Sequence, residues 1–369
     1  LIDPATAERI KAHEGHRDKA VGLRWPVLLA ISLGGVLLGA GVLLFVAAHW
    51  DALSPASRFA LVLALVAAFH LSGGILAERF SALSVALHAV GTICLGAGIF
   101  LAGQIFHLQE HWPGALMLWA LGAGIAWVLL RDWPQAAFTA LLVPAWLTGE
   151  WLEATHGWGG REQILAEGLL LLAVTYLTGL LPEKETLVRK ALARIGGVAL
   201  IPLAILVIVS GGAISARQSP LPESYRLAGW LAAATLPLAL AWVLRRGAAW
   251  MNMLAAVWIA ALGSTSPKSF SMTGDLSLGL WHELGAYAMC MLGSLGLIAW
   301  GLKEASKERI NLGMLSFALT VFFFYFSNVM DKLGRSASLI GLGLLFLLGG
   351  WLMEKTRRRL VARLELGGA

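Results

Sequence analysis

From Trp25 onward this 369-residue chain is a succession of apolar runs, each about 17–26 residues long and separated from the next by a short polar break. A helix rising 1.5 Å per residue needs about 20 apolar residues to cross the hydrocarbon core of a bilayer. Composition points the same way. The chain is 58% hydrophobic and 14% charged, against roughly 45–50% apolar and 25% charged in soluble domains. An ordinary soluble fold has too little polar surface available here, and disorder requires the opposite composition. Lipid is the solvent this chain is built for.

Twelve candidate spans follow: 27–48, 57–77, 82–106, 114–130, 134–151, 164–181, 191–211, 227–244, 247–263, 280–301, 310–330 and 336–353. The expected fold is an all-α polytopic transmembrane bundle of about twelve spans. Residues 1–26 form a cytoplasmic amphipathic leader, opened by an Asp3-Pro4 helix start, and 354–369 a basic cytoplasmic tail. Basic residues set the orientation. With the N-terminus inside, 21 of the 28 Lys and Arg fall on the inner side and seven on the outer. Both termini are then cytoplasmic. The tail Lys355-Thr356-Arg357-Arg358-Arg359 anchors the last span and can also attract anionic lipid. Tryptophans such as Trp50, Trp112, Trp151, Trp133, Trp250 and Trp300 fall near span ends, as aromatic belts do. That accounts for them without nucleic acid as a partner.

The formal charge of +6 divides unevenly. Twelve acids lie inside and ten outside, giving +9 on the inner face and −3 on the outer. An outer face rich in His, Asp and Glu suits cations, metals or protons, although outer loops avoid Lys and Arg in any case. The outer polar cluster comprises His49, Asp51, Gln104, His107, Glu110, His111, Glu167, His282 and Glu283. Within it, His107-Leu108-Gln109-Glu110-His111 follows the H-x-x-E-H order of a zinc-binding helix, with Glu150, Glu153, Glu162 or Glu167 available as a third ligand. A divalent metal at His107 and His111 is one reading; polar residues capping a span end are the simpler one.

His70 and His88 form a second constellation. They lie on adjacent spans at matching distances from the turn Glu78-Arg79-Phe80-Ser81, about 10 Å deep at 1.5 Å per residue. Ionisable groups at such depth usually face the bundle interior. The pair can relay protons, or each histidine can be satisfied by a neighbouring helix. The two cysteines, Cys94 and Cys290, sit inside apolar runs and form no redox or zinc motif. No nucleotide-binding loop, GxSxG elbow or haem motif is present, which argues against ATP-driven transport by this chain alone.

Leu38-Gly39-Ala40-Gly41-Val42-Leu43-Leu44 parallels Leu95-Gly96-Ala97-Gly98-Ile99-Phe100-Leu101, and each stretch runs on to a histidine, His49 or His107. The similarity reflects either a duplicated hairpin or shared use of small residues for close packing. The stretch Gly39-Ala40-Gly41-Val42-Leu43-Leu44-Phe45-Val46-Ala47-Ala48-His49-Trp50-Asp51 resembles a segment of the bacterial membrane proteins grouped as domain of unknown function 2157. In that family the segment often reads G-x-G-x-x-x-F-x-A-x-N-W, so His49 stands where Asn is usual. Ile2-Asp3-Pro4-Ala5-Thr6-Ala7-Glu8-Arg9-Ile10 and Gly103-Gln104-Ile105-Phe106-His107-Leu108 are similar too, and the resemblance covers roughly residues 1–150. It implies a bacterial inner-membrane location and brings no activity, cofactor or catalytic residue. The expected function is transport or permeation of a small solute, cation or lipid-like molecule. The alternatives are a membrane-embedded enzyme, such as a metal-dependent hydrolase, at the outer His/Glu cluster, or a structural subunit.

Overall fold

The computed structural model describes residues 53–105, 111–181, 185–210, 219–265 and 276–328, the backbone alone for 105, 276–283 and 328, and isolated positions on either side. The chain divides into two compact units, Leu1–Ala64 and Leu65–Ala369. The expected leader helix, the first copy of the internal repeat, most of the first expected span and half of the last lie outside the described residues.

Among the described residues ten α-helices follow in order: α1 Pro55–Leu76, α2 Ser81–Ile105, α3 Pro113–Leu130, α4 Trp133–Ala154, α5 Arg161–Thr178, α6 Leu187–Ser210, α7 Glu223–Arg245, α8 Trp250–Ser264, α9 Leu276–Lys303 and α10 Lys307–Asn328. Each overlaps one of the apolar runs between 57–77 and 310–330. Seven are long and apolar enough to cross a membrane. The other three are α4, α5 and α8. Helix α8 has 15 residues, α5 carries Arg161, Glu162 and Glu167 within 18, and α4 is diluted by tryptophan, Gln135 and Glu150.

Local chemistry fixes the helix ends. Pro55 starts α1 behind Ser54, whose Oγ accepts from the Ser57 N–H at 3.2 Å. Arg131 closes α3 in the left-handed region at φ 54°, and the next residue, Asp132, caps α4 by accepting from the Gln135 N–H at 3.1 Å. Two residues thus reverse the chain. Ala305, at φ 50°, makes a similarly tight break between α9 and α10.

Helix α5 is the hub of Leu65–Ala369. It packs against α4, α6, α7 and α8, and eleven of its residues are buried. Leu170, Leu171, Val174 and Leu177 meet Leu200 and Val207 of α6, Ile259 and Leu262 of α8, and Trp300 of α9. Small residues let the backbones close up: a Cβ on Gly196 would run into the main chain at Ala173 and Leu177. Outward-facing side chains are apolar instead. Ile75 is 80% and Val198 79% exposed, as expected of positions whose solvent is lipid.

Helix ends gather at two opposite poles. At one pole Arg161 of α5 donates to the Leu152 and Thr155 carbonyls at the end of α4. A two-residue parallel pairing there joins β1 Trp158–Gly159 to β2 Ser219–Pro220. At the other pole the C-terminal ends of α5, α7 and α9 meet the N-terminal ends of α6 and α10.

Candidate functional site

Three polar assemblies sit among the described residues of this otherwise apolar bundle. The first is the histidine pair. His70 and His88 face one another across α1 and α2 with ring centroids 5.5 Å apart. Glycines make room for both rings. A Cβ on Gly73 would lie 2.9 Å from the His88 ring, and one on Gly91 would overlap the His70 ring. Each helix thus carries His-x-x-Gly, and each imidazole lies on the other helix's glycine. His70 Nδ1 is 3.0 Å from the Val66 carbonyl. A carbonyl only accepts, so Nδ1 carries the hydrogen and Nε2 is the basic atom.

Helix α4 completes this assembly. Thr92 Oγ1, one turn after His88, donates to Gln135 Oε1 at 2.8 Å, and Trp119 Nε1 of α3 donates to the Thr92 carbonyl at 2.8 Å. Asp132 is close enough for its charge to act on both imidazoles. Burial pushes its carboxyl above the ordinary aspartate range, against the opposing pull of the Gln135 N–H and the two histidines. His88 Nδ1, Asp132 Oδ2 and Gln135 Nε2 are buried without hydrogen-bond partners.

The second assembly runs along one stripe of α5. Glu167 is 5% exposed and accepts from Gln163 Nε2 at 3.0 Å. The absence of a side chain at Gly263 of α8 leaves space for its carboxylate, which a Cβ there would hit. Eight residues on, about 12 Å along the helix, Thr175 Oγ1 lies 3.4 Å from the Pro237 carbonyl of α7. Asn252 of α8 donates to Thr178 Oγ1 at 3.1 Å. Glu167, Thr175, Thr178 and Asn252 are all buried.

The third assembly closes the pole where α5 ends. Arg245 of α7 and Arg309 of α10 both grip Glu304 with their guanidiniums, and both also donate to the Thr178 carbonyl. Trp300 Nε1 donates to Glu304 at 2.8 Å, and the Arg245 guanidinium lies 5.1 Å from the Trp300 ring centre. Arg189 of α6 donates to Gly179 and Leu244 carbonyls nearby. Cations at helix C-termini meet the negative end of the helix dipole. Burial alone would raise the Glu304 carboxyl. The hydrogen bonds from Arg245, Arg309 and Trp300, with the Arg309 charge, outweigh burial and hold it down at about 2.

The expected outer cluster is only partly described. His49, Asp51, His107 and Glu110, and the side chains of His282 and Glu283, lie outside the described residues. Gln104 lies at the end of α2. His111 Nε2 sits 2.9 Å from Glu150, which also accepts from Trp146 Nε1 at 2.8 Å, and Trp112 Nε1 donates to Glu153 at 3.0 Å. His111 and Glu167 therefore have separate partners. Among the described residues no group of three or more His, Cys, Asp or Glu side chains is placed to hold a metal.

Several of these residues carry no functional signal in the sequence. Arg245 and Arg309 count there only among the 21 inner-side Lys and Arg, and Asp132 only among the twelve inner-side acids. The doubled His-x-x-Gly is a visible signal for the pair's mutual fit, and Thr175, Thr178 and Asn252 stand out as polar residues within apolar runs.

No curated protein and no solved structure matches the chain. Residues 1–136 match the family model described as "Predicted membrane protein (DUF2157)", and over that stretch the chain is similar to this family.

Proposed function

We propose that this membrane protein moves a small cation, or a small polar solute coupled to one, across the bilayer. The observation that carries the reading is Glu167, a carboxyl buried on the innermost helix with an amide and a glycine against it. An uncompensated carboxylate at such depth is expensive and is retained where it binds a proton or a cation. Polar residues continue from it along α5, with the Leu170–Leu171 segment between the two polar levels. The Arg245–Glu304–Arg309 cluster seals the far pole.

The excess of Lys and Arg at that pole supports a cytoplasmic orientation for it, with both chain termini on the same side, in a bacterial inner membrane. The basic tail then meets anionic lipid.

The test is flux in proteoliposomes carrying the full chain under imposed proton, sodium or potassium gradients. At least one of these cations should cross faster than in protein-free vesicles, and Glu167→Gln should abolish the difference. Flux of all three equal to that of protein-free vesicles would overturn the proposal.

A further inference from the structure

We propose that His70, His88, Asp132 and Gln135 together form a proton-binding site that takes up one proton, shared between the two imidazoles and stabilised by the Asp132 carboxylate. This site is built from α1, α2 and α4 and is distinct from the Glu167 stripe, so either assignment can fail without the other.

Geometry supplies the argument. With ring centroids 5.5 Å apart, two imidazolium charges would repel strongly in an environment poorer in water than the surface. One added proton is what the pair can hold. The acceptor atoms are defined. His70 Nδ1–H is committed to the Val66 carbonyl, which leaves Nε2 for the incoming proton, and His88 Nδ1 has no partner.

The counter-charge is defined as well. Among the described residues, the charges that act on His88 are those of His70 and Asp132, and those that act on Asp132 are the two imidazoles, while Arg131 beside it is exposed. Helix α3, packed against α2 and α4, has no ionisable residue and contributes the Trp119 N–H, which is spent on the Thr92 carbonyl. Asp132 is part-exposed at the head of α4, so it can take a proton from water at that pole. Passing it inward converts a neutral carboxyl to a carboxylate and a neutral imidazole to an imidazolium, with no other bond changed.

The remaining unpartnered atoms fit this role. Gln135 Nε2 is a donor, Asp132 Oδ2 an acceptor, and His88 Nδ1 becomes one or the other according to its tautomer. The amide is held in place because its oxygen is occupied by Thr92. A purely structural histidine pair would instead be expected to spend these atoms on fixed partners.

The experiment is a pH titration of the full chain, labelled with 15N-histidine, in lipid nanodiscs. It follows the His70 and His88 ring nitrogens by NMR between about pH 8 and pH 4, a range that brackets the free imidazole. The pair should take up one proton. Asp132→Asn, which preserves the helix cap because Asn caps as well as Asp, should lower the midpoint by roughly 1 unit or more, the effect of removing a nearby opposite charge. His70→Gln should leave His88 to take up the whole proton, because the competing imidazole is gone. Uptake of two protons, uptake of none, or a midpoint unchanged by Asp132→Asn would each overturn the proposal.

Discussion

The Arg245–Glu304–Arg309 cluster and the His70–His88–Asp132 cluster are both at least half-buried, both polar, and both built where separate helices meet. They differ in what pH can do to them. Guanidiniums stay charged throughout the accessible range, and Glu304 is held down at about 2, so the first cluster keeps its charges under all ordinary conditions. The second is made of imidazoles whose free form titrates near neutrality. One assembly is suited to fastening helix ends permanently, the other to changing state. Burial of a polar group is therefore an ambiguous sign of function until its partners are known.

Removing a partner from the fixed cluster should have the largest effect. Glu304→Ala leaves two buried guanidiniums facing each other. It should cost about 3–5 kcal/mol, the usual penalty for breaking a buried ion pair, read as a large fall in thermal midpoint or in folded yield in detergent. A midpoint matching that of the wild type would remove the distinction between the clusters.

Acid should separate the two next. Glu304 titrates at about 2 in the folded chain against an ordinary 4.5. Its contribution to stability is complete above pH 4.5 and disappears as pH falls toward 2. Thermal midpoints measured across that window should decline in the wild type and decline less in Glu304→Gln. Parallel slopes would show that the carboxylate is not the group responsible.

A smaller effect is expected at the histidine pair. Gly91→Ala places a methyl where the His70 ring lies. It should destabilise by about 1–3 kcal/mol through overpacking and break the His70–Val66 hydrogen bond, visible as a shift of the His70 Nδ1 resonance. Gly74→Ala, one residue from Gly73 with open space at its Cβ position, should leave both unchanged. Equal effects at the two positions would mean the rings do not nest as described.

The contrast also explains what the sequence could reveal. An apolar run marked each of the ten described helices, and run length is most telling for the seven that are long and apolar enough to cross a membrane, because bilayer thickness constrains length directly. Glu167 and the histidine pair were legible because an ionisable residue inside an apolar run is conspicuous wherever its partner lies. The fixed cluster was not legible: Arg245, Glu304 and Arg309 each stand at a helix end, where orientation alone explains a charge, and only the fold brings them together. Helix α5 shows the same limit. Its charges and hydroxyls weaken its apolar character, yet it is the most enclosed of the described helices, because α4, α6, α7 and α8 surround it. His111 pairs with Glu150 because α3 and α4 pack side by side, a neighbour relation that local spacing does not encode.

The central claim is that α5 lines a route across the membrane. Its most direct test is thiol labelling of Glu167→Cys, Thr175→Cys and Thr178→Cys, each made in a chain with Cys94 and Cys290 replaced by alanine, using a small membrane-impermeant cationic reagent on sealed vesicles. A route predicts that the thiol at position 167 is labelled from the pole of Arg161, and that those at positions 175 and 178 become labelled once Glu304→Gln loosens the far pole. Protection of all three positions in both backgrounds would contradict it and leave α5 as a structural core helix.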